Sequence, residues 1–184
     1  MLYRWEKYEL VVLSAQAQPS SHYIVVPGNR YIYARMLCEV AQTRKDGRVM
    51  AVMPSERSAK RLDKWLKHED IHLRKLANVR TLPPDASLRG HIQYIYGNIE
   101  DEVDKLVLGG YPSCGYLLYA GSYTSFVGMY RALEPLLAAG ATIVLPDMRT
   151  DRARGAIVRA AGVLGLPLIF LGQVALMNRA RRWR

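Results

Sequence analysis

The sequence is short of cysteine, of acidic residues and of uninterrupted apolar runs, and each shortage excludes something. Cys38 and Cys114 are the only cysteines in 184 residues. Their spacing matches neither a disulfide framework nor a thiolate metal site, and two isolated thiols suit a reducing compartment. The longest apolar stretch, 162–171, is broken by Gly165 and Pro167 and falls short of the roughly 20 residues that a spanning helix needs. No membrane association is expected. Residues 1–8 mix Arg4, Glu6 and Lys7 with aromatics, unlike the basic start and apolar core of a secretory leader, so a cytoplasmic location is expected. The four histidines are scattered. His68 and His72 have the i, i+4 spacing of a two-histidine site, but His72 lies beyond the expected end of its helix, and no metal is expected.

Acidic residues number 16 against 26 Lys and Arg, a net charge of +10. This excess draws phosphate-bearing partners at long range, or serves solubility alone. The remaining composition, 50% hydrophobic and 23% charged, is that of a globular protein, and the length suits one domain. We expect one α/β domain over 1–178 and a basic tail over 179–184.

Short apolar runs alternate with amphipathic stretches, the pattern of strand, helix and parallel strand. Expected strands are 9–15, 22–26, 48–53, 78–82, 91–96, 115–120, 141–145 and 166–171, the first two as a hairpin. Expected helices are 29–43, 56–68, 124–138 and 150–163. Ala59, Leu62, Trp65 and Leu66 form the buried stripe of the second, capped by Ser55. Pro135 either kinks the third or begins a shorter helix after it. The fold class is therefore a three-layer, mainly parallel twisted sheet with helices on both faces.

In such folds ligands meet the C-terminal ends of the strands, here the neighbourhoods of Gly28, Ser55, Asn98, Ser122 and Asp147. The run Val25-Val26-Pro27-Gly28-Asn29-Arg30-Tyr31 joins a strand to a helix through a glycine turn, a setting in which backbone N–H groups meet phosphates. It equally reads as an ordinary strand-to-helix turn. Asp147, Arg149, Thr150, Asp151, Arg152 and Arg154 cluster before another helix. Thr150 or Asp151 can cap it, or the arginines can hold an anion with Asp147 or Asp151 as acid or base. Ser122, Tyr123, Thr124 and Ser125 supply hydroxyls without a nucleophile-elbow pattern. The candidate nucleotide-binding set is Gly28, Asn29, Arg30, Ser122, Arg149, Asp151 and Arg154.

In their order, the Gly turn at 27–30, the strand ending Val52-Met53-Pro54-Ser55, the strand 92–96 followed by Asn98, Glu100 and Asp101, and Leu118-Tyr119-Ala120-Gly121-Ser122 resemble the first lobe of P-loop NTPases. The likeness is to helicase-like and packaging-motor-like members, including viral accessory proteins, and covers residues 20–125. The phosphate-loop lysine is absent, and Gly97-Asn98 replaces the strand-end aspartate. The resemblance therefore implies a degenerate domain that does not hydrolyse nucleotide and has no obligatory cofactor, with nucleotide binding still open. The stretch 141–171 also resembles the C-terminal part of nucleoside deoxyribosyltransferase-like folds, without their acidic motif.

Such a domain implies nucleic acid as partner. Arg57, Lys60, Arg61, Lys64 and Lys67 lie three and four apart on one helix face, able to neutralise phosphates without reading sequence. Arg179, Arg181, Arg182, Trp183 and Arg184 add a basic aromatic end. Both read equally as solvated surface. The leading expectation is a non-hydrolysing nucleic-acid-binding or assembly domain. The alternatives are an enzyme or receptor for a nucleotide-like small molecule at the strand edge, and an interaction protein, self-associating or with another chain, that exposes Tyr31, Tyr33 and Tyr111.

Overall fold

The computed structural model describes residues 3–76 and 87–179. Its strands are β1 (His22–Val26), β2 (Arg48–Val52), β3 (Ile92–Ile95), β4 (Cys114–Tyr119), β5 (Leu137–Leu145), β6 (Leu168–Leu171) and β7 (Val174–Asn178). Its helices are α1 (Tyr3–Gln16), α2 (Ile32–Gln42), α3 (Glu56–Leu76), α4 (Ile99–Leu108), α5 (Phe126–Leu133) and α6 (Asp151–Leu164). The strands form one sheet in the order β3-β2-β1-β4-β5-β7-β6. All neighbours pair in parallel except β7, which runs antiparallel to both β5 and β6.

Strand side chains point alternately to the two faces, and both faces are covered. Tyr23 and Val25 of β1, Val49 and Ala51 of β2, and Tyr116 and Leu118 of β4 pack with α1, α2 and α3. Ile24, Val26, Met50, Val52, Leu117 and Tyr119 pack on the opposite side with α4, α5 and α6. The helices join these cores through residues at three-and-four spacing, such as Ala34, Leu37, Cys38 and Ala41 in α2 and Ala59, Leu62 and Leu66 in α3. Truncating one fully buried leucine among them, Leu62 for instance, costs about 2–5 kcal/mol. Thr150 caps α6 by accepting from Ala153 N–H at 3.1 Å, and Gly165 ends it at φ +63° in the left-handed region that glycine tolerates.

The mainly parallel three-layer α/β architecture expected from the alternation is the one observed. Its opening element differs. Residues 9–15 belong to helix α1, not a hairpin strand, because Lys7, Val11 and Ala15 fall four apart on the face that meets the sheet. The acidic segment after β3 is helix α4, and α3 continues to Leu76. Pro135 begins a separate 3-10 turn, Glu134–Leu136, after α5 has ended. The expected strand 78–82 lies outside the described residues. No helix among the described residues is long and apolar enough to cross a membrane.

Candidate functional site

Strand order reverses between β1 and β4, so their following helices leave on opposite faces and open a crevice at their C-terminal ends. The turn after β1 rests against the end of β4. Ala120 N–H donates to Val26 O at 2.8 Å, and Gly28 sits at φ +57° where a Cβ would lie 2.7 Å from Ala120 O. Only glycine fits there. Beyond β4, Tyr119 Oη donates to Ser122 O at 2.7 Å, Ser122 Oγ meets Thr124 Oγ1 at 2.8 Å, and Tyr123 Oη donates to Pro146 O at 2.8 Å. The first two bonds brace the loop after β4, and the third ties it to the end of β5. Past β3, Gly97 has φ +90° and Asn98 Nδ2 donates to Asp101 Oδ2 at 2.8 Å.

The strongest electrostatic feature of this edge is Asp147, a non-glycine residue at φ +72° just past β5. Its Oδ1 lies 2.6 Å from Lys7 Nζ and 3.5 Å from Arg149 Nη2. Its Oδ2 accepts from Arg30 Nη1 and, at 2.7 Å, from Tyr33 Oη. The Lys7 and Asp147 side chains are 3% and 6% exposed, so this pair is buried, whereas Arg30 at 49% and Arg149 at 54% face open space. Burial holds the Tyr33 phenol well above its ordinary value, with Tyr8 adding and Arg30 opposing, so it remains a hydrogen-bond donor. Tyr123 is raised likewise, first by burial, with Arg30 again opposing.

Beside this cage lies a cavity of about 460 Å³, lined by Lys7, Arg30 and Arg149 and walled by Tyr8, Tyr31 and Trp65. The rings of Tyr31 and Trp65 are tilted against each other with centroids 6.1 Å apart. A concavity of this size lined by both cations and aromatics suits a small planar anion.

Of the sequence-derived nucleotide set, Asn29, Arg30 and Arg149 line this cavity, and Gly28 and Ser122 flank the crevice beside it. Asp151 is exposed in the first turn of α6. Arg154 is structural: its Nε donates to Met148 O at 3.1 Å and its Nη2 to Gly172 O at 2.7 Å, with the guanidinium over Phe170. Sequence reasoning missed Lys7, Tyr8 and Tyr31 as lining residues and took Trp65 as purely core. A lysine four residues before Val11 on the apolar face of α1 is the signal that was available. Among the described residues no three His, Cys, Asp or Glu side chains gather as metal ligands. Both thiols are buried, which pushes Cys114 up to about 12 and raises Cys38 as well, so neither is a ready nucleophile.

The P-loop likeness does not survive the geometry. Arg30 N–H is committed to Pro27 O at 2.9 Å, Pro27 has no N–H, and Gly28 is pressed onto Ala120, so the turn does not form a phosphate-wrapping loop. The proposed nucleic-acid surface loses its basis with it. Arg57, Lys60, Arg61, Lys64 and Lys67 are exposed on α3, where Lys60 pairs with Glu56 at 2.7 Å. Arg179 is not part of a tail, since its Nη1 donates to Glu134 O at 3.1 Å and its backbone pairs with 140–141. Arg181, Arg182, Trp183 and Arg184 lie outside the described residues. Tyr33 is buried and Tyr31 and Tyr111 are half-buried, which removes the exposed tyrosines on which an interaction surface was expected.

No protein-family model matches the sequence, and no curated protein does either. Solved structures do match. An O-methyltransferase from Bacillus cereus in complex with SAH shares 12% identity at a TM-score of 0.65, over 94% of this chain and 80% of that one. The O-methyltransferase TomG from Streptomyces achromogenes, in complex with SAM, gives 12% and 0.67 over 95% and 80%. A cofactor-bound protein from MTB gives 15% and 0.67 over 96% and 81%. These likenesses replace the expected P-loop NTPase relationship, and at such identities what is shared is the fold, seen in solved O-methyltransferases.

Proposed function

We propose that this chain binds a nucleoside-based small molecule at the C-terminal edge of its sheet, across the crevice between β1 and β4. The reading rests most on the strand order. A reversal at β1 and β4 creates a ligand crevice in open α/β sheets, and chains of the same fold hold SAM or SAH. The end of β3 supports it: Gly97, at φ +90°, has no atom within 4 Å of where a Cβ would stand, which lets a ligand approach the backbone. Asn98 and Asp101 offer acceptors past β3 for ribose hydroxyls.

The residues do not fit the sulfonium of SAM, and the usual ribose contact at the end of β2 is absent as well. Lys7, Arg30 and Arg149 surround one carboxylate, Asp147, so the local charge repels a cation. The end of β2 carries Met53, Pro54 and Ser55 where a ribose-binding carboxylate commonly stands. Glu56 beyond it is exposed and paired with Lys60.

Thermal shift and calorimetry against adenosine, SAM, SAH and AMP test the proposal. A ligand at a hundredfold its Kd stabilises by about 2.7 kcal/mol, a Tm rise of roughly 5–11 °C at this size. Ser122→Trp, a bulky change at an exposed residue of the crevice, should abolish that rise. No shift with any member of the panel overturns the reading.

A further inference from the structure

The charge around Asp147 does not balance. Arg30 and Arg149 share one carboxylate, Asp147, with the buried Lys7, so the two guanidiniums alone exceed it by one positive charge (2 − 1). All three cations line the cavity, Lys7 buried against Asp147 and the two arginines about half exposed. Each guanidinium has five N–H donors in a fixed fork, so one contact with Asp147 leaves donors directed elsewhere. A phosphate monoester carries about −1.5 to −2 charges at neutral pH, and it is bound bidentately by arginine. The same lining includes Tyr31 and Trp65, whose rings are tilted against each other, and Tyr8, which offer aromatic surface to a planar ring.

We infer that this cavity holds an aromatic phosphate monoester, with its phosphate on Arg30 and Arg149 and its ring against Tyr31 and Trp65. Asp147 then acts as an anchor. It holds Arg30 by a hydrogen bond and draws Arg149 at 3.5 Å, so both guanidiniums keep further donors for the phosphate. If the nucleoside reading above is right, the ring is a base and the ligand a nucleoside monophosphate. The charge match itself does not depend on that reading.

The test is calorimetry at low salt with AMP, adenosine, SAM and phenyl phosphate, on the full chain and on Arg149→Gln and Trp65→Ala. Arg149 is the arginine to change, because its contact with Asp147 is long and its side chain half exposed; Arg30→Gln serves as a second variant once its fold is verified by circular dichroism. AMP should bind at least tenfold more tightly than adenosine. Arg149→Gln should weaken AMP and phenyl phosphate by tenfold or more and leave adenosine unchanged, and Trp65→Ala should weaken all ring-bearing ligands. Adenosine or SAM binding as tightly as AMP, with no effect of Arg149→Gln, overturns the phosphate site and leaves the nucleoside reading intact. Phenyl phosphate binding in an arginine-dependent way while no nucleoside binds supports the site and overturns the nucleoside reading. Binding by none of the four overturns both.

Discussion

Replacing Asp147 by Asn tests whether one carboxylate organises the strand edge. The amide keeps the size of the side chain and loses its charge, so the Lys7 ammonium, 3% exposed, stays buried against a neutral group. Removing one partner of a buried ion pair costs about 3–5 kcal/mol. The lower end applies here, since Arg30 and Arg149 can turn to solvent and the amide oxygen can still accept from Tyr33. A loss of about 3 kcal/mol lowers Tm by roughly 6–12 °C in a chain of this length. Lys7→Met removes the buried cation, keeps its apolar stem, and leaves Asp147 with Arg30, Arg149 and Tyr33. Its cost should be that of one charged hydrogen bond, about 1.5 kcal/mol. The double variant buries no charge from this pair, and should fall short of the sum of the single losses by about 1–2 kcal/mol. Urea unfolding followed by circular dichroism, with a shared m-value, measures all three. An Asp147→Asn variant within 1 kcal/mol of the parent, or strict additivity in the double variant, would refute the idea that this pair anchors α1 to the end of β5.

Gly47→Ala should cost about 3 kcal/mol or more, because a Cβ there would lie 2.0 Å from Ala41 O in the backbone of α2; an unchanged Tm would show that α2 can move away. Changing Lys60, Arg61 and Lys64 together to Ala should alter stability by no more than about 0.5 kcal/mol per site and leave AMP affinity unchanged in calorimetry. All three are exposed and outside the cavity. His22 is held below its ordinary value of 6.5, chiefly by burial and then by Arg48, with Asp46 opposing. A base whose value is lowered by folding binds fewer protons in the native state, so its contribution is complete above pH 6.5 and is lost as the pH falls through the lowered native value. Thermal scans between pH 5.5 and 7.5 should show a fall on acidification that is smaller in His22→Gln, and equal slopes would contradict this.

The fold was legible because its central strands satisfy two rules at once. Val49-Met50-Ala51-Val52 is apolar throughout, as a strand buried on both faces must be, and the segments between such runs carry apolar residues at three-and-four spacing. Legibility failed where local and tertiary preferences disagree. Leu10-Val11-Val12-Leu13 has the β-branched, apolar character of a strand, yet only Val11 is buried in that run, on the helical line through Lys7 and Ala15. Packing of α1 against the sheet outweighs the weak strand propensity. Strand β7 was missed because Val174-Ala175-Leu176-Met177 follows β6 after the short turn at Gly172-Gln173. That spacing leaves no room for a crossover helix and therefore dictates an antiparallel return.

The site was only half legible, for a reason that lies in how its charges are distributed along the chain. Arg30 and Arg149 stand immediately after strands, where the rule for open α/β sheets directs attention, and both do line the cavity. Lys7 and Trp65 stand inside helices, one on the apolar face of α1, where only its charge marks it, and one within the stripe of α3, where nothing local distinguishes it from a core position. What holds Lys7 at the edge is Asp147. Its carboxylate spans 140 residues to Lys7 and 117 to Arg30, joining α1, the turn after β1 and the end of β5 at one point. A lysine on an apolar helix face must find an anion or lose its charge, and within this fold an acid just past a central strand is positioned to provide it. The same requirement that forces Lys7 inward thus fixes the anion on the sheet's edge, and with it the two arginines that give the cavity its excess of positive charge.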